Sequence, residues 1–253
     1  MKNKFRKFFC LSVFLSLLLA TNHCFFSLKK ENKTLEVSQN NTLSKIAYLT
    51  FDDGPSNNTE KILEILDKYN IKATFFVVGP EYKLKNDLLI KIVKSGHQLA
   101  IHSYEHNYNY IYSSKENYLK DFYKCYKWIK KITGVSTNIF RFPGGSSNTI
   151  ATKQIIKSII AELEQDGFTH ADWNVDTLDS YAKNETNKII SNAMTSLKRN
   201  ENNNHYYQTI LMHDDINKPA SIKALPTLIE KFIANGYNFK VLNENSHIIK
   251  HVK

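Results

Sequence analysis

A single α/β domain, built on a parallel sheet or barrel of about seven strand–helix repeats, is what the sequence predicts. Three observations carry this. Short apolar, β-prone runs alternate with segments of helical period from Lys45 to Leu242. Four of the helical segments stop at a glycine, at Gly96, Gly134, Gly167 and Gly236. Chemically versatile side chains recur directly after the strands, which is where α/β folds place their sites.

The elements follow in order. Ile46–Phe51 is an apolar run closed by Asp52-Asp53-Gly54-Pro55, so it reads as a buried strand with an abrupt stop. Ile62, Leu63, Ile65, Leu66 and Tyr69 recur at helical spacing, and Ala73–Val78 is a short strand. Leu88, Leu89, Ile92 and Val93 mark a helix before the strand Gln98–Ile101. A long helix carries Tyr118, Leu119, Phe122, Tyr123, Tyr126, Ile129 and Ile132, an aromatic stripe expected in the core rather than on a sugar platform. Asn138–Phe140 is a strand, Thr149–Gln165 a helix and His170–Val175 a strand. Asn184–Leu197 is helical, Gln208–Met212 a strand, Ile222–Ala234 a helix and Asn238–Leu242 the last strand. The count is one short of a complete eight-fold barrel. No boundary divides 45–253.

The formal charge of +10 is concentrated at one end. Six of the 34 basic residues, and no acids, fall in residues 1–30, which leaves 28 basic against 24 acidic side chains. That remaining charge forms no dense patch, which speaks against nucleic acid as a partner and suits an anionic polymer such as a cell wall. Lys2, Lys4, Arg6 and Lys7 precede the apolar stretch Phe8–Ala20, the pattern of an export signal. Leu18 makes cleavage after Ala20 unfavourable, and Phe25-Phe26 resume the apolar character, so residues 1–28 read as a signal peptide or a membrane anchor. Either places the following body outside the cytoplasm. Residues 29–44 are polar and read as a linker. Cys10 and Cys24 lie in the leader, so Cys125 stands alone in the body and no disulfide forms there; it reads as a packed thiol.

Five strand-end constellations carry the chemistry. Asp52 and Asp53 can serve one site only if the strand loses its alternation there, and Gly54 is the residue expected to permit the turn. A turn cap is the equally weighted alternative on this stretch alone. His102-Ser-Tyr-Glu-His106 presents two imidazoles at i and i+4, which face one way if the segment turns helically. Two histidines and a carboxylate, with Asp53 the candidate, make a metal set with an open position; a pair of surface histidines is the alternative. Arg141-Phe-Pro143-Gly144-Gly145 offers a guanidinium that can fork onto a carboxylate and backbone N–H groups that can meet an oxyanion. Asp172, Asp176 and Asp179 cluster after one strand, and His213-Asp214 follow another.

In this order, the five motifs resemble the polysaccharide deacetylases, the NodB-homology group of carbohydrate esterase family four, over essentially all of 45–242. The resemblance implies a distorted (β/α) barrel with its groove at the strand C-termini. It implies a divalent metal, usually zinc with cobalt or manganese as alternatives, held by Asp53, His102 and His106. Asp52 becomes the general base, Arg141 its charge partner, His213 the general acid and Asp179 the residue that orients His213. Pro143, Gly144 and Asp176 fall on the substrate and oxyanion side. The reaction implied is removal of acetyl from an N-acetylated amino sugar in a polysaccharide, and the Arg-Phe-Pro-Gly-Gly form is closest to the peptidoglycan N-acetylglucosamine deacetylases. The family's fourth motif has Trp after its last Asp, where this chain has Ser180; Tyr181 and Trp173 are the candidates to replace that groove wall. Chitin oligomers, acetylated xylan and a non-catalytic sugar-binding role are the competing readings. No protein partner is implied.

Overall fold

The computed structural model describes residues 44–80, 84–182, 185–215 and 217–253. The expected leader, 1–28, and all but the last residue of the linker lie outside them. Ser44–Lys253 form one unit. Among the described residues no helix is long and apolar enough to cross a membrane.

Strands β1 (Ile46–Asp52), β2 (Thr74–Val78), β3 (Gln98–Ser103), β4 (Ile139–Phe140), β5 (Thr169–His170), β6 (Val175–Asp176), β7 (Tyr207–His213) and β8 (Asn238–Lys240) form one sheet, and every pairing is parallel. Seven of them run in the order β5-β4-β3-β2-β1-β7-β6. β7 takes one edge of β1 along its whole length, while β8 pairs with Ile46–Tyr48 and β2 with Thr50–Asp52. β8 and β2 therefore share the other edge. β1 is buried at all seven positions, which explains its unbroken apolar run: a strand covered on both faces has no solvent side to alternate with.

The expected strand His170–Val175 is two strands. β5 and β6 lie at opposite ends of the sheet order, yet only four residues, 171–174, join them. An extended chain covers at most about 3.6 Å per residue, so the two ends of the sheet stand within about 18 Å of each other. The sheet thus curls into an incomplete barrel. Six residues with no Gly or Pro read the same whether they are one strand or two with a crossing link.

Helices pack around this sheet: α1 (Thr59–Lys68), α2 (Leu84–Lys94), the single turn α3 (Tyr108–Ile111), α4 (Lys115–Thr133), α5 (Lys153–Gln165), α6 (Thr186–Asn202) and α7 (Pro219–Ala234). α4 ends at the glycine its sequence predicts, and its start is set by a cap. The Ser114 side chain accepts from the Asn117 N–H, and Gly134 ends the helix at φ 74°. It buries Tyr118, Phe122, Cys125 and Ile129, so the aromatic stripe is core. Burial pushes the Cys125 thiol up, which keeps it a neutral, inert sulfur. α5 begins four residues later than expected because Thr152, accepting from the Ile155 N–H, is its cap.

Candidate active site

In a parallel sheet all strand C-termini share one edge, and there the five constellations meet. Asp52, Asp53, His102, His106, Gly144, Asp176 and His213 line one groove of about 340 Å³. Tyr108, Trp173, Ser180, Tyr181, Asp215 and Lys218 complete much of its wall. Pro143 is not a wall residue; its carbonyl accepts from the Tyr112 hydroxyl and so fixes the start of the glycine turn. A larger cavity of about 430 Å³ lies behind the His106 loop. Its acids already have partners, Glu105 in Lys124 of the same wall and Asp121 in the Ser103 hydroxyl and two backbone N–H groups.

The two adjacent acids reach one site because the strand breaks between them. Asp52 is the last residue of β1, and Asp53 itself adopts φ 70°. Gly54, expected to make the turn, has another use. A Cβ there would lie 2.4 Å from Asp214 Oδ2, so only glycine admits that carboxylate. Asp214 accepts from the Ser56 hydroxyl at 2.8 Å and the Thr59 hydroxyl at 2.5 Å, and its N–H donates to the Asp52 carbonyl. Burial pushes its carboxyl up to about 7 against those two hydroxyls, so Asp214 shapes the turn rather than facing the groove.

Arg141 follows β4 and is fully buried. It does not fork onto a carboxylate. Nη1 donates to Asp52 Oδ1 at 2.7 Å and to the Thr50 hydroxyl at 2.9 Å. Nε donates to the Ala171 carbonyl at 2.8 Å and Nη2 to the Asp172 carbonyl at 3.2 Å. Its guanidinium also lies 4.0 Å over the Phe76 ring. One Asp52 oxygen is therefore tied down, and the other, Oδ2, points toward the histidines, 3.9 Å from His102 Nε2.

The histidine pair is not helical. His102 sits in β3, and His106 lies in the following loop at φ 49°. Asp121, a carboxylate on the buried face of α4, gathers this loop: it accepts from the Ser103 hydroxyl and from the Tyr104 and Glu105 N–H groups at 2.6–2.8 Å. The Ser103 oxygen in turn accepts from the His106 N–H. His102 Nδ1 faces the Arg141 carbonyl at 2.9 Å; as a donor to it, the ring keeps its Nε2 lone pair for the groove.

His102 Nε2 and His106 Nε2 lie 3.4 and 3.1 Å from Asp53 Oδ1. These are the ligand atoms of a set that can hold a metal ion. The fit is tested by hydrogen bonding: Asp53 Oδ1 and His106 Nε2 are buried and have no hydrogen-bond partner among the described residues. Buried polar atoms are costly unless something satisfies them, and a cation between these three would do so. Burial raises the Asp53 carboxyl, but the close imidazoles of His102 and His106 hold it well below the usual range. His106 is pushed down by burial and up, on balance, by Asp53. The set thus keeps an anionic oxygen facing two imidazoles.

At the β7 end His213 Nδ1 bonds Asp179 Oδ1 at 2.7 Å. Asp179 Oδ2 accepts from the His213 N–H at 2.9 Å and from the Ser221 hydroxyl at 2.7 Å. Burial lowers the His213 pKa, but Asp179, with smaller contributions from Asp53 and Asp52, raises it to about 9. Of the three acids after β5, Asp179 meets His213 and Asp176 lines the groove, with Trp173 Nε1 at 3.2 Å from its Oδ2. Asp172 turns away from it. Tyr181 is 79% exposed at the rim, beside Ser180. Tyr108, which belongs to none of the five motifs and leaves no signal of its own in the sequence, sets its ring edge-on to His106 with centroids 5.3 Å apart.

Fold and site together define a hydrolase of the parallel α/β-barrel class, its chemistry at the strand C-termini. The chain belongs to the polysaccharide deacetylase family. The family's profile matches residues 39–163, short of Asp179 and His213, while matches to whole relatives cover 84–85% of the chain. YheN of Bacillus subtilis, provisionally named a polysaccharide deacetylase, is 34% identical over 213 residues, 84% of this chain and 72% of its own. A Bacillus cereus peptidoglycan-N-acetylglucosamine deacetylase is 32% identical over 221 residues, 85% of this chain and 76% of its own. The crystal structure of the catalytic domain of peptidoglycan N-acetylglucosamine deacetylase from Eubacterium rectale superposes with a TM-score of 0.76 at 36% identity, covering 84% of this chain and 96% of that one.

Proposed function

We propose that this protein is a metal-dependent hydrolase that removes acetyl groups from N-acetylglucosamine in peptidoglycan. The observation that carries the reading is the Asp53–His102–His106 set with its two unpartnered atoms, in one groove with Asp52 and His213. The names of the relatives support the substrate class. Asp53 Oδ1, His102 Nε2 and His106 Nε2 would hold a divalent ion, zinc by the softness of the imidazole ligands, with cobalt or manganese as substitutes. When bound, that ion supplies Lewis acidity toward the acetamide carbonyl and toward water.

The rest falls to the chain's own residues. Asp52 Oδ2, free because Arg141 occupies Oδ1, takes the proton of the attacking water. The Gly144 backbone, in a wall of the groove at φ 76°, is the donor for the developing oxyanion. An amine leaves poorly unless protonated. His213, whose Nδ1 is committed to Asp179, delivers that proton from Nε2. Tyr181 and Trp173 provide the aromatic wall that Ser180 does not.

Residues 1–28 are proposed as the export signal or anchor and 29–44 as the tether of the catalytic domain 45–253, which puts the reaction at the cell wall. Acetate release from purified peptidoglycan, measured against chitin oligomers and acetylated xylan with zinc added and with chelator, tests the reading. The expected result is zinc-dependent release that is fastest from peptidoglycan. No release from any of the three by zinc-loaded protein overturns it.

A further inference from the structure

We propose that Asp172 is a positioning residue for the reaction, locking the glycine turn and Arg141 to segment Ile249–Val252. This rests on the hydrolytic reading above for its kinetic consequences, but not for its geometry.

Every polar group of Asp172 is in use. Its N–H donates to the Ile249 carbonyl at 2.8 Å. Its carbonyl accepts from Arg141 Nη2 at 3.2 Å. Oδ1 accepts from the Ser146 N–H at 2.8 Å, and Oδ2 accepts from the Ser146 hydroxyl at 2.6 Å and the His251 N–H at 2.7 Å. The Ser146 oxygen accepts in turn from the Val252 N–H at 3.0 Å, which closes a ring of bonds between three distant stretches of chain. The carboxylate is almost fully buried, so these donors have no water to fall back on.

Two structures that touch the reaction hang from this hub. One is the turn Pro143–Ser146. Gly144 lines the groove, and Gly145 is pressed against Trp173, where a Cβ would come within 2.8 Å of the indole. Ser146 is the next residue, and Asp172 holds both its N–H and its hydroxyl. The other is Arg141, which spends two donors on the carbonyls of Ala171 and Asp172 and one on Asp52. Residues 171–174 bridge the open side of the barrel. Ala171 N–H donates to the Phe140 carbonyl and Asn174 N–H to the Thr209 carbonyl, while between them Asp172 is tied to 249–252 and His251 Nε2 lies 2.7 Å from the Trp173 carbonyl. The geometry couples the glycine turn to the Asp172 carboxylate and the partner of Asp52 to the main-chain carbonyl of the same residue, so a side-chain substitution acts on the turn first.

Three variants test this: Asp172→Asn, Asp172→Ala and Ser146→Ala, each in the full chain, zinc-loaded and assayed below its melting temperature. None of them removes a metal ligand, so zinc content should equal that of the parent protein. An interaction felt only in the transition state lowers kcat and kcat/KM together. The expected result is a fall in kcat of about 10- to 100-fold with KM within about twofold, below the 10²–10³ typical of losing an oxyanion donor outright because the donor remains but is less well placed. Asn, which keeps an acceptor for the Ser146 N–H, should fall less than Ala. Amide exchange at Gly144–Asn148 should quicken in all three while β1 stays protected. A lower melting temperature with parental kcat, or unchanged exchange in the turn, would show Asp172 to be an ordinary fold contact. If the parent protein releases no acetate, the functional reading fails, and exchange alone decides whether the hub holds the turn.

Discussion

At the ends of β1 and β3, Asp53, His102 and His106 bring three ligand atoms within 4.8 Å and leave two of them unpartnered; at the end of β7, His213 and Asp179 bond to each other and Ser221 completes the carboxylate. Both regions combine buried imidazole with carboxylate. They differ in what the protein alone supplies. An unsatisfied buried polar atom costs roughly 1–3 kcal/mol, so the first region is organised for something that is not protein. The second is complete as it stands, and its product is a proton held at Nε2. One groove thus contains both regions, with Asp52 in the same wall and held by Arg141; on the proposed reading the first would hold an electrophile and the second would be the acid.

The comparison breaks most sharply at His106. Replacing it with alanine removes one of three ligands and one of the two unpartnered atoms. We expect zinc binding and turnover to be lost together, as measured by metal analysis and acetate release. Zinc should raise the melting temperature of the parent protein, by an amount equivalent to about 2.7 kcal/mol at a hundredfold excess over Kd, and should not raise that of His106→Ala. A His106→Ala protein that keeps stoichiometric zinc would show that the ligands are other residues. Asp52→Asn probes the boundary between the regions. It should keep the metal and lose about 10²–10⁴-fold in turnover, since an amide cannot take the proton. Equal loss of metal from Asp52→Asn and Asp53→Asn would make both acids ligands and remove the base.

His213→Ala should cost about as much on the amide but be selective. Turnover of the acetamide should fall by about 10²–10⁴-fold with zinc retained. An activated aryl acetate, whose leaving group needs no proton, should lose far less. The contrast lies within one variant, so misfolding cannot produce it. Equal losses on amide and ester would reduce His213 to a structural residue.

Much of the fold and of the site is legible in the sequence alone. The alternation of strand and helix shows in the periodicity because buried parallel strands and amphipathic helices have distinct patterns. The strand-end motifs show because parallel strands bring their C-termini to one edge. What stays hidden depends on contacts between distant residues. The break at Asp53 and the loop at His106 are left-handed backbone positions occupied by non-glycine residues, which composition does not announce. The run 170–175 looks like one strand because no Gly or Pro marks the crossing within it. Asp172, Asp176 and Asp179 share a motif yet reach a buried hub, the groove wall and a histidine. Asp121 does leave a signal. It is a carboxylate on the apolar face of a helix, between Tyr118 and Phe122, and a buried acid needs partners; here they are the donors of the His106 loop.

Asp179→Asn makes the smallest change and separates the two regions most cleanly. The His213 pKa is raised to about 9 by Asp179 first, and less by Asp53 and Asp52, against the downward push of burial. A cation at Asp53 offsets the contribution of those nearer acids, so in the zinc-loaded enzyme the alkaline limb of activity should lie below 9. The Asp179 contribution survives metal binding. Replacing it with asparagine should move that limb to lower pH by about one to two units, with zinc content unchanged. Stability gives a second reading that needs no substrate. A histidine whose folded pKa lies above its unfolded value of about 6.5 stabilises the fold fully below pH 6.5, and the gain is lost as pH rises through its folded pKa. Metal-free parent protein should therefore lose stability between about pH 6.5 and 9, and Asp179→Asn should flatten that slope. A limb and a slope both unmoved by the substitution would mean that Asp179 holds the His213 ring without tuning its proton, and the second region would no longer be an acid finished by the protein alone.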